Sequence, residues 1–265
     1  MADMPDEAIV LDDVSKKFGG YQAVQHMSLS VHRGELFGLL GANGAGKTTT
    51  IKMMVGLLRP SEGRIRLWGH DIVSDSLRAK SVIGYVPDNP NLYGKLTGRE
   101  MLSFLADMYH VPRNKQRARI EALLETFGLD THGNDLVQSY SRGMTQKLAL
   151  CGALIHEPKI LFLDEPTVGL DPVGARQLKD VMLHLRNEGK TVLLSTHVLE
   201  VAEALCDRVG IVHKGQLEAV DSPQGLRTST GDEHLEDVFL HLTGKERTDT
   251  ALQLIKVFEG DGSST

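Results

Sequence analysis

The chain is poor in cysteine, with two in 265 residues. Cys151 and Cys206 form no C-x-x-C pair, and both lie in apolar helical stretches. The sequence therefore predicts packed thiols in a reducing compartment rather than disulfides or a thiolate metal site. Long hydrophobic runs are also missing. The sequence holds no run of about 18 uncharged apolar residues, the length a spanning helix requires, which predicts that no segment spans a membrane. Excess positive charge is absent too: the net charge is −6, which argues against nucleic acid as a bulk partner. Met1 to Glu7 carries acids and no base, unlike a secretory signal. What remains is ordinary for a globular chain. Hydrophobic residues make up 41%, and the length suits one large domain or a domain with a subdomain.

One stretch carries recognisable chemistry. Gly41-Ala42-Asn43-Gly44-Ala45-Gly46-Lys47-Thr48 fits the phosphate-cradling pattern G-x-x-x-x-G-K-[ST]. Apolar Leu36 to Leu40 precedes it as a strand, and Thr49 to Leu58 follows as a helix with Ile51, Met54, Val55 and Leu58 apolar. Triphosphate oxygens need many donors in a small concavity. Backbone N–H groups supply them only where no side chain intrudes, hence Gly44 and Gly46. A helix opening at Lys47 aims free N–H groups and its positive dipole end at the anion. Lys47 adds a full charge for the terminal phosphates, and the Thr48 hydroxyl can ligate Mg²⁺.

Taken in order, Ala8 to Val14 and Met27 to Val31 read as strands, with residues 16–20 as an opening loop whose aromatic is Phe18. Ile65 to Trp68 and Ser81 to Val86 are further strands. Residues from about 89 to 157 then read as an inserted helical subdomain, including Arg99 to Met108 and Arg117 to Phe127. The basic run Arg113, Lys115, Arg117, Arg119 is read as a solvated face. Ser141 is placed as a helix N-cap. Lys159 to Leu163 is a buried strand that delivers Asp164 and Glu165 at its C-terminal end, where open parallel sheets bind ligands. Val173 to Asn187 is a helix, Thr191 to Thr196 a buried strand ending at His197, and residues 208–220 a hairpin. The fold class is α/β, a mostly parallel phosphate-loop sheet with an antiparallel β-layer and a helical insert. Residues 1–222 form the main domain. Residues 223–265 form an extension, with a helix at about 232–243 packed on the main domain and a flexible tail at Gly260 to Thr265.

The ordered set Gly41–Thr48, Tyr140–Met144, Ile160–Glu165, Gly169–Asp171 and His197 resembles the nucleotide-binding subunit of an ATP-binding cassette (ABC) transporter. It spans about residues 9–221. The resemblance implies ATP and Mg²⁺ as ligands. Phe18 would stack on adenine, while Gly41, Asn43, Gly44, Ala45, Gly46, Lys47, Thr48 and Thr49 would hold the phosphates. Thr48 and Asp164 would hold the metal, joined by Asp88 where the family usually has glutamine. Glu165 would polarise the attacking water, and His197 would contact the γ-phosphate. Ser141 and Gly143 would reach the nucleotide of a second copy, and Asp171 would link the two sites. Tyr140-Ser141-Arg142-Gly143-Met144 departs from the usual L-S-G-G-Q in the manner of exporters with ABC-2 type membrane subunits. Leu235 to Phe239 resembles the tail of single-domain exporter ATPases. The implied partners are integral membrane permease subunits and a second copy of the chain, not nucleic acid. The implied location is cytoplasmic, peripheral on the membrane through the permease. An ABC ATPase acting on ribosomes or DNA is the alternative, although such proteins usually carry tandem cassettes or long coiled coils.

Overall fold

The computed structural model describes residues 6–167 and 170–244. Two long strands open it, β1 (Glu7–Phe18) and β2 (Tyr21–His32). They meet at a two-residue turn, with Phe18 opposite Tyr21 and Gly19 at φ 56°. The loop expected over residues 16–20 is thus mostly strand. Left-handed residues Asp13 and His26 accompany breaks in the β1–β2 register. Such bulges interrupt the alternation by which a strand is recognised. With β4 (Glu62–Leu67) and β5 (His70–Asp71), these strands form an antiparallel sheet in the order β2-β1-β4-β5.

The second sheet has the order β10-β9-β3-β8-β7-β6. It comprises β3 (Leu36–Leu40), β6 (Ile83–Val86), β7 (Ile160–Asp164), β8 (Thr191–Thr196), β9 (Arg208–His213) and β10 (Gln216–Asp221). All neighbours are parallel except the β9–β10 hairpin. Every residue of β3, β7 and β8 is buried. That is why the middles of these strands read as apolar runs: both faces are covered. Side chains alternate between two cores. Leu36, Leu40, Leu161 and Leu163 join the helix-covered core. Phe37, Leu39, Ile160 and Phe162 join the core beneath the antiparallel sheet. Each such side chain contributes ~1.5–3 kcal/mol of burial.

Helix α1 (Lys47–Met54) follows the glycine loop and stops at Val55, before left-handed Gly56, short of the expected Leu58. Helix α2 (Ser76–Ser81) precedes β6 and takes the start of the strand expected from Ser81. Between β6 and β7 lie α3 (Gly98–Met108), α4 (Arg113–Thr126) and α5 (Arg142–Leu154). Thr97 and Glu100 close a capping box at the start of α3, which fixes where that helix begins. α6 (Pro172–Asn187) leads into β8, and α7 (Leu199–Leu205) leads into β9. Two helices close the described chain, α8 (Pro223–Thr230), not foreseen, and α9 (Leu235–Leu242). Leu235 and Val238 of α9 are fully buried in the helix-covered core, so this helix packs on the main body. The tail at Gly260 to Thr265 lies outside the described residues. Among the described residues no helix is long and apolar enough to cross a membrane.

Candidate active site

β3 ends at Leu40 and the chain curls through Gly41–Gly46 into α1. Gly44 and Gly46 are left-handed, at φ 81° and 110°. A Cβ on Gly46 would stand 2.7 Å from the Ala23 carbonyl oxygen, so this turn takes glycine alone. A concavity of about 250 Å³ lies over the loop, lined by Tyr21, Ala23 and residues 42–49. Lys47 is almost fully buried beneath it. Its ammonium donates to the Gly41 carbonyl at 2.6 Å and stands 3.3 Å from Glu165 Oε1.

The carboxylates arrive on β7. Asp164 Oδ1 accepts from the Ser195 hydroxyl at 2.5 Å and from the Thr48 hydroxyl at 3.2 Å. Asp164 Oδ2 is buried and accepts nothing. Burial raises the Asp164 pKa, against the opposing pull of those hydroxyls, and the charges of Asp88 and Glu165 add to the rise. Glu165 follows with φ 48°, a strained backbone for a non-glycine residue. The strain is held by its N–H, which donates to the Ser195 carbonyl at 3.1 Å and Oγ at 3.2 Å. Glu165 Oε2 is 2.9 Å from His197 Nδ1. Glu165 Oε1 is close enough to Lys47 for charge attraction but lies off any hydrogen-bonding direction.

The fold thus gathers Lys47, Thr48, Asp164, Glu165 and His197 at the C-terminal ends of neighbouring parallel strands. A cation, hydroxyls, free amides and an oriented carboxylate can bind a polyphosphate and activate a water beside it. Other expected residues stand apart from this group. Phe18 is half exposed at the end of β1, with the Lys16 ammonium 5.0 Å from its ring centre. The aromatic that lines the concavity is Tyr21, opposite Phe18 across the hairpin turn. Asp88 follows β6 and is exposed, accepting from the Asn89 N–H at 2.9 Å. Ser141 Oγ caps α5 by accepting from Met144 N–H at 3.3 Å, and Gly143 sits in the first turn of that helix. Asp171 Oδ1 caps α6 by accepting from Gly174 N–H at 2.8 Å. Gly169 of the expected loop lies outside the described residues.

Sequence reading missed two residues. Tyr21 was overlooked because the hairpin was read as a loop; Gly19-Gly20 between two strand-like runs is the signal that places it. Ser195 was read only as part of a strand, yet it bonds both carboxylate residues. A buried hydroxyl at the C-terminal end of a strand with an apolar middle marks such a role. A larger groove, about 740 Å³, lies along β4 with Arg59, Arg64 and Arg66, away from these carboxylates. Size does not make it the site; the convergence of charges does.

Residues 24–168 match the family described as ABC transporter. The chain is 40% identical over 242 residues to the daunorubicin resistance ATP-binding protein DrrA3 of Streptomyces coeruleorubidus, covering 91% of this chain and 76% of that protein. It is 39% identical to the probable multidrug ABC transporter ATP-binding protein YbhF of Escherichia coli, covering 88% of this chain but 40% of that longer protein. Among solved structures, an ATP-binding subunit of an ABC transporter superposes with a TM-score of 0.85 at 32% identity, covering 89% of this chain and 99% of that one. A dimeric ATP-binding cassette, MJ0796, in a post-hydrolysis state with ADP and Pi, superposes with a TM-score of 0.74 at 26% identity, covering 81% and 98%. The glycine loop, the paired carboxylates at the end of β7 and this kinship agree, and the chain belongs to the ABC transporter family as an ATP-binding subunit that hydrolyses ATP.

Proposed function

We propose that this subunit drives an exporter by closing head to tail on a second copy around ATP and reopening after hydrolysis. The observation that carries the reading is the seat of Glu165, held between His197 and Lys47 beside the glycine loop. Loop amides and the Lys47 ammonium bind the phosphates, and Glu165 takes the proton of the attacking water. The ring of His197 steadies that carboxylate through Nδ1 and leaves Nε2 for the γ-phosphate or the water. Phe18 and Tyr21 form the aromatic edge on the base side.

The residues present fit a Mg²⁺ ion. Asp164 Oδ2 is a buried oxygen without a partner, next to the Thr48 hydroxyl. Mg²⁺ is commonly held by one or two protein oxygens plus phosphates. This suits a chain in which no group of three or more His, Cys, Asp or Glu side chains among the described residues could hold a metal. Thr48 and Asp164 would hold the ion, with Asp88 on the adjoining loop. Its chemistry there is neutralisation of phosphate charge.

These 265 residues hold one glycine loop and one Ser141–Gly143 helix start, and neither Ser141 nor Gly143 lines its own nucleotide concavity. Two complete sites therefore need two such cassettes, most simply two copies related by a two-fold axis. Ser141 and the α5 N-terminus would meet the γ-phosphate of the other copy, and Asp171 would join the two sites. The membrane partner docks on the inserted helices, where Tyr93 and Phe104 are exposed and packed edge to face at 5.5 Å. That docking holds the subunit at the cytoplasmic face. The names of DrrA3 and YbhF support drug-like cargo and hence the outward direction. Glu165→Gln tests the scheme: ATP binding persists, turnover falls ~10²–10⁴-fold, and the protein elutes as an ATP-dependent dimer in size-exclusion chromatography. Wild-type turnover by this variant would refute the assignment of the base.

A further inference from the structure

Two buried polar atoms beside the site lack a hydrogen-bond partner, the Tyr85 hydroxyl and Asp164 Oδ2. Tyr85 stands on β6 opposite Phe162 of β7, two residues before Asp164. Three residues further along its own chain is Asp88. The Tyr85 ring packs on the core beneath the antiparallel sheet. Burial, and after it the charges of Asp164 and Asp88, hold the phenol above its ordinary range. At neutral pH it therefore keeps its proton and is a donor.

A buried donor without an acceptor carries its full desolvation cost. Two carboxylates act on the phenol through their charge, Asp164 and Asp88. Asp164 Oδ1 is taken by Ser195 and Thr48, and its Oδ2 is the oxygen assigned to the metal ion. Asp88 is exposed, and its carboxylate is tied only to the next residue's N–H. Asp88 is thus the carboxylate free to come to the hydroxyl. We propose that Tyr85 is a positioning residue whose hydroxyl donates to the Asp88 carboxylate when residues 87–90 fold toward the phosphates. The inference rests on the reading of Asp88 and Asp164 as the metal side of the site. From the side of the core beneath the antiparallel sheet, the Tyr85 hydroxyl aims the carboxylate.

The test is the equilibrium affinity of a fluorescent ATP analogue, measured on the whole chain with Mg²⁺ and with EDTA. The ratio of the two is the gain due to metal. Tyr85→Phe keeps the ring and removes the hydroxyl. It is expected to lower the gain about tenfold, as for a hydrogen bond to a charged group. Affinity in EDTA and the melting temperature of the nucleotide-free protein should not fall. In an Asp88→Ala background the same change should do nothing more. An unchanged gain in Tyr85→Phe overturns the proposal, and so does an undiminished effect in the Asp88→Ala background. The reading of Asp88 itself fails separately, if Asp88→Ala alone leaves the gain at the wild-type value.

Discussion

Lys47 has its charge anchored by the protein itself. The Gly41 carbonyl and Glu165 hold it at 2.6 and 3.3 Å, so the ammonium lies at the loop rather than sampling solvent. Preorganisation of this kind lowers the cost of binding. Lys47→Ala is expected to weaken ATP binding by ~10–100-fold, the scale of charge-assisted hydrogen bonds, measured by fluorescent nucleotide titration. Stability should fall by ~1–3 kcal/mol, because the Gly41 carbonyl loses its donor and Glu165 a neighbouring charge. The loop and the two carboxylates were legible in the sequence because backbone spacing alone dictates their chemistry. Ser195 and Tyr21 were not. Their roles arise from which strand ends become neighbours, and a single sequence does not state that pairing. Asp164 shows the same limit: its position is a sequence motif, but its orphaned Oδ2 appears only once burial is known.

At the scale of elements, the join between the inserted helices and the sheet contains a titratable group. His156 follows α5 and stacks on Tyr109 after α3, with ring centres 3.8 Å apart and planes 4° from parallel. Its Nε2 is 2.9 Å from the Ile83 carbonyl at the start of β6 and donates to it, while Nδ1 is buried without a partner. Protonation would bury a charged N–H with no acceptor. Burial accordingly holds the pKa below its ordinary 6.5, against the Ile83 bond. The folded pKa is depressed relative to the unfolded chain. Its stabilisation is therefore fully present above about pH 6.5 and is lost as pH falls through the folded pKa. Melting temperature should drop on acidification from pH 7 to 5, and His156→Gln, which still offers an amide donor, should flatten that slope. A slope identical to wild type would show that other groups set it. The long elements were legible where one face repeats, as in α3 and α6. Some short elements were not: α2 presents one buried residue, Ala79, and α8 begins at Ser222-Pro223, which reads equally as a turn. The β1–β2 hairpin was underread because its bulges break the two-residue period.

On the scale of the whole molecule, the proposed scheme needs a membrane partner. Cysteines engineered at Tyr93 or Phe104 in the full-length protein should crosslink to an integral membrane protein in native membranes. Capture of ribosomal or DNA-associated proteins instead would favour the rival class of ABC ATPase. The native thiols do not interfere, because Cys151 and Cys206 are buried and their pKa values are pushed up by burial. The insertion point also sets where a load on the inserted helices reaches the sheet. These helices leave from the C-terminal end of β6 and return to the N-terminal end of β7, strands that are hydrogen-bonded to each other along their length. β6 is the outermost strand of its sheet, so the insert is carried at the rim. At Gly84, where any Cβ would collide with the Ala153 carbonyl oxygen, α5 lies backbone against backbone on that rim strand. On the proposed scheme, force applied to the inserted helices enters the sheet through this edge, one strand away from the one that ends at Asp164.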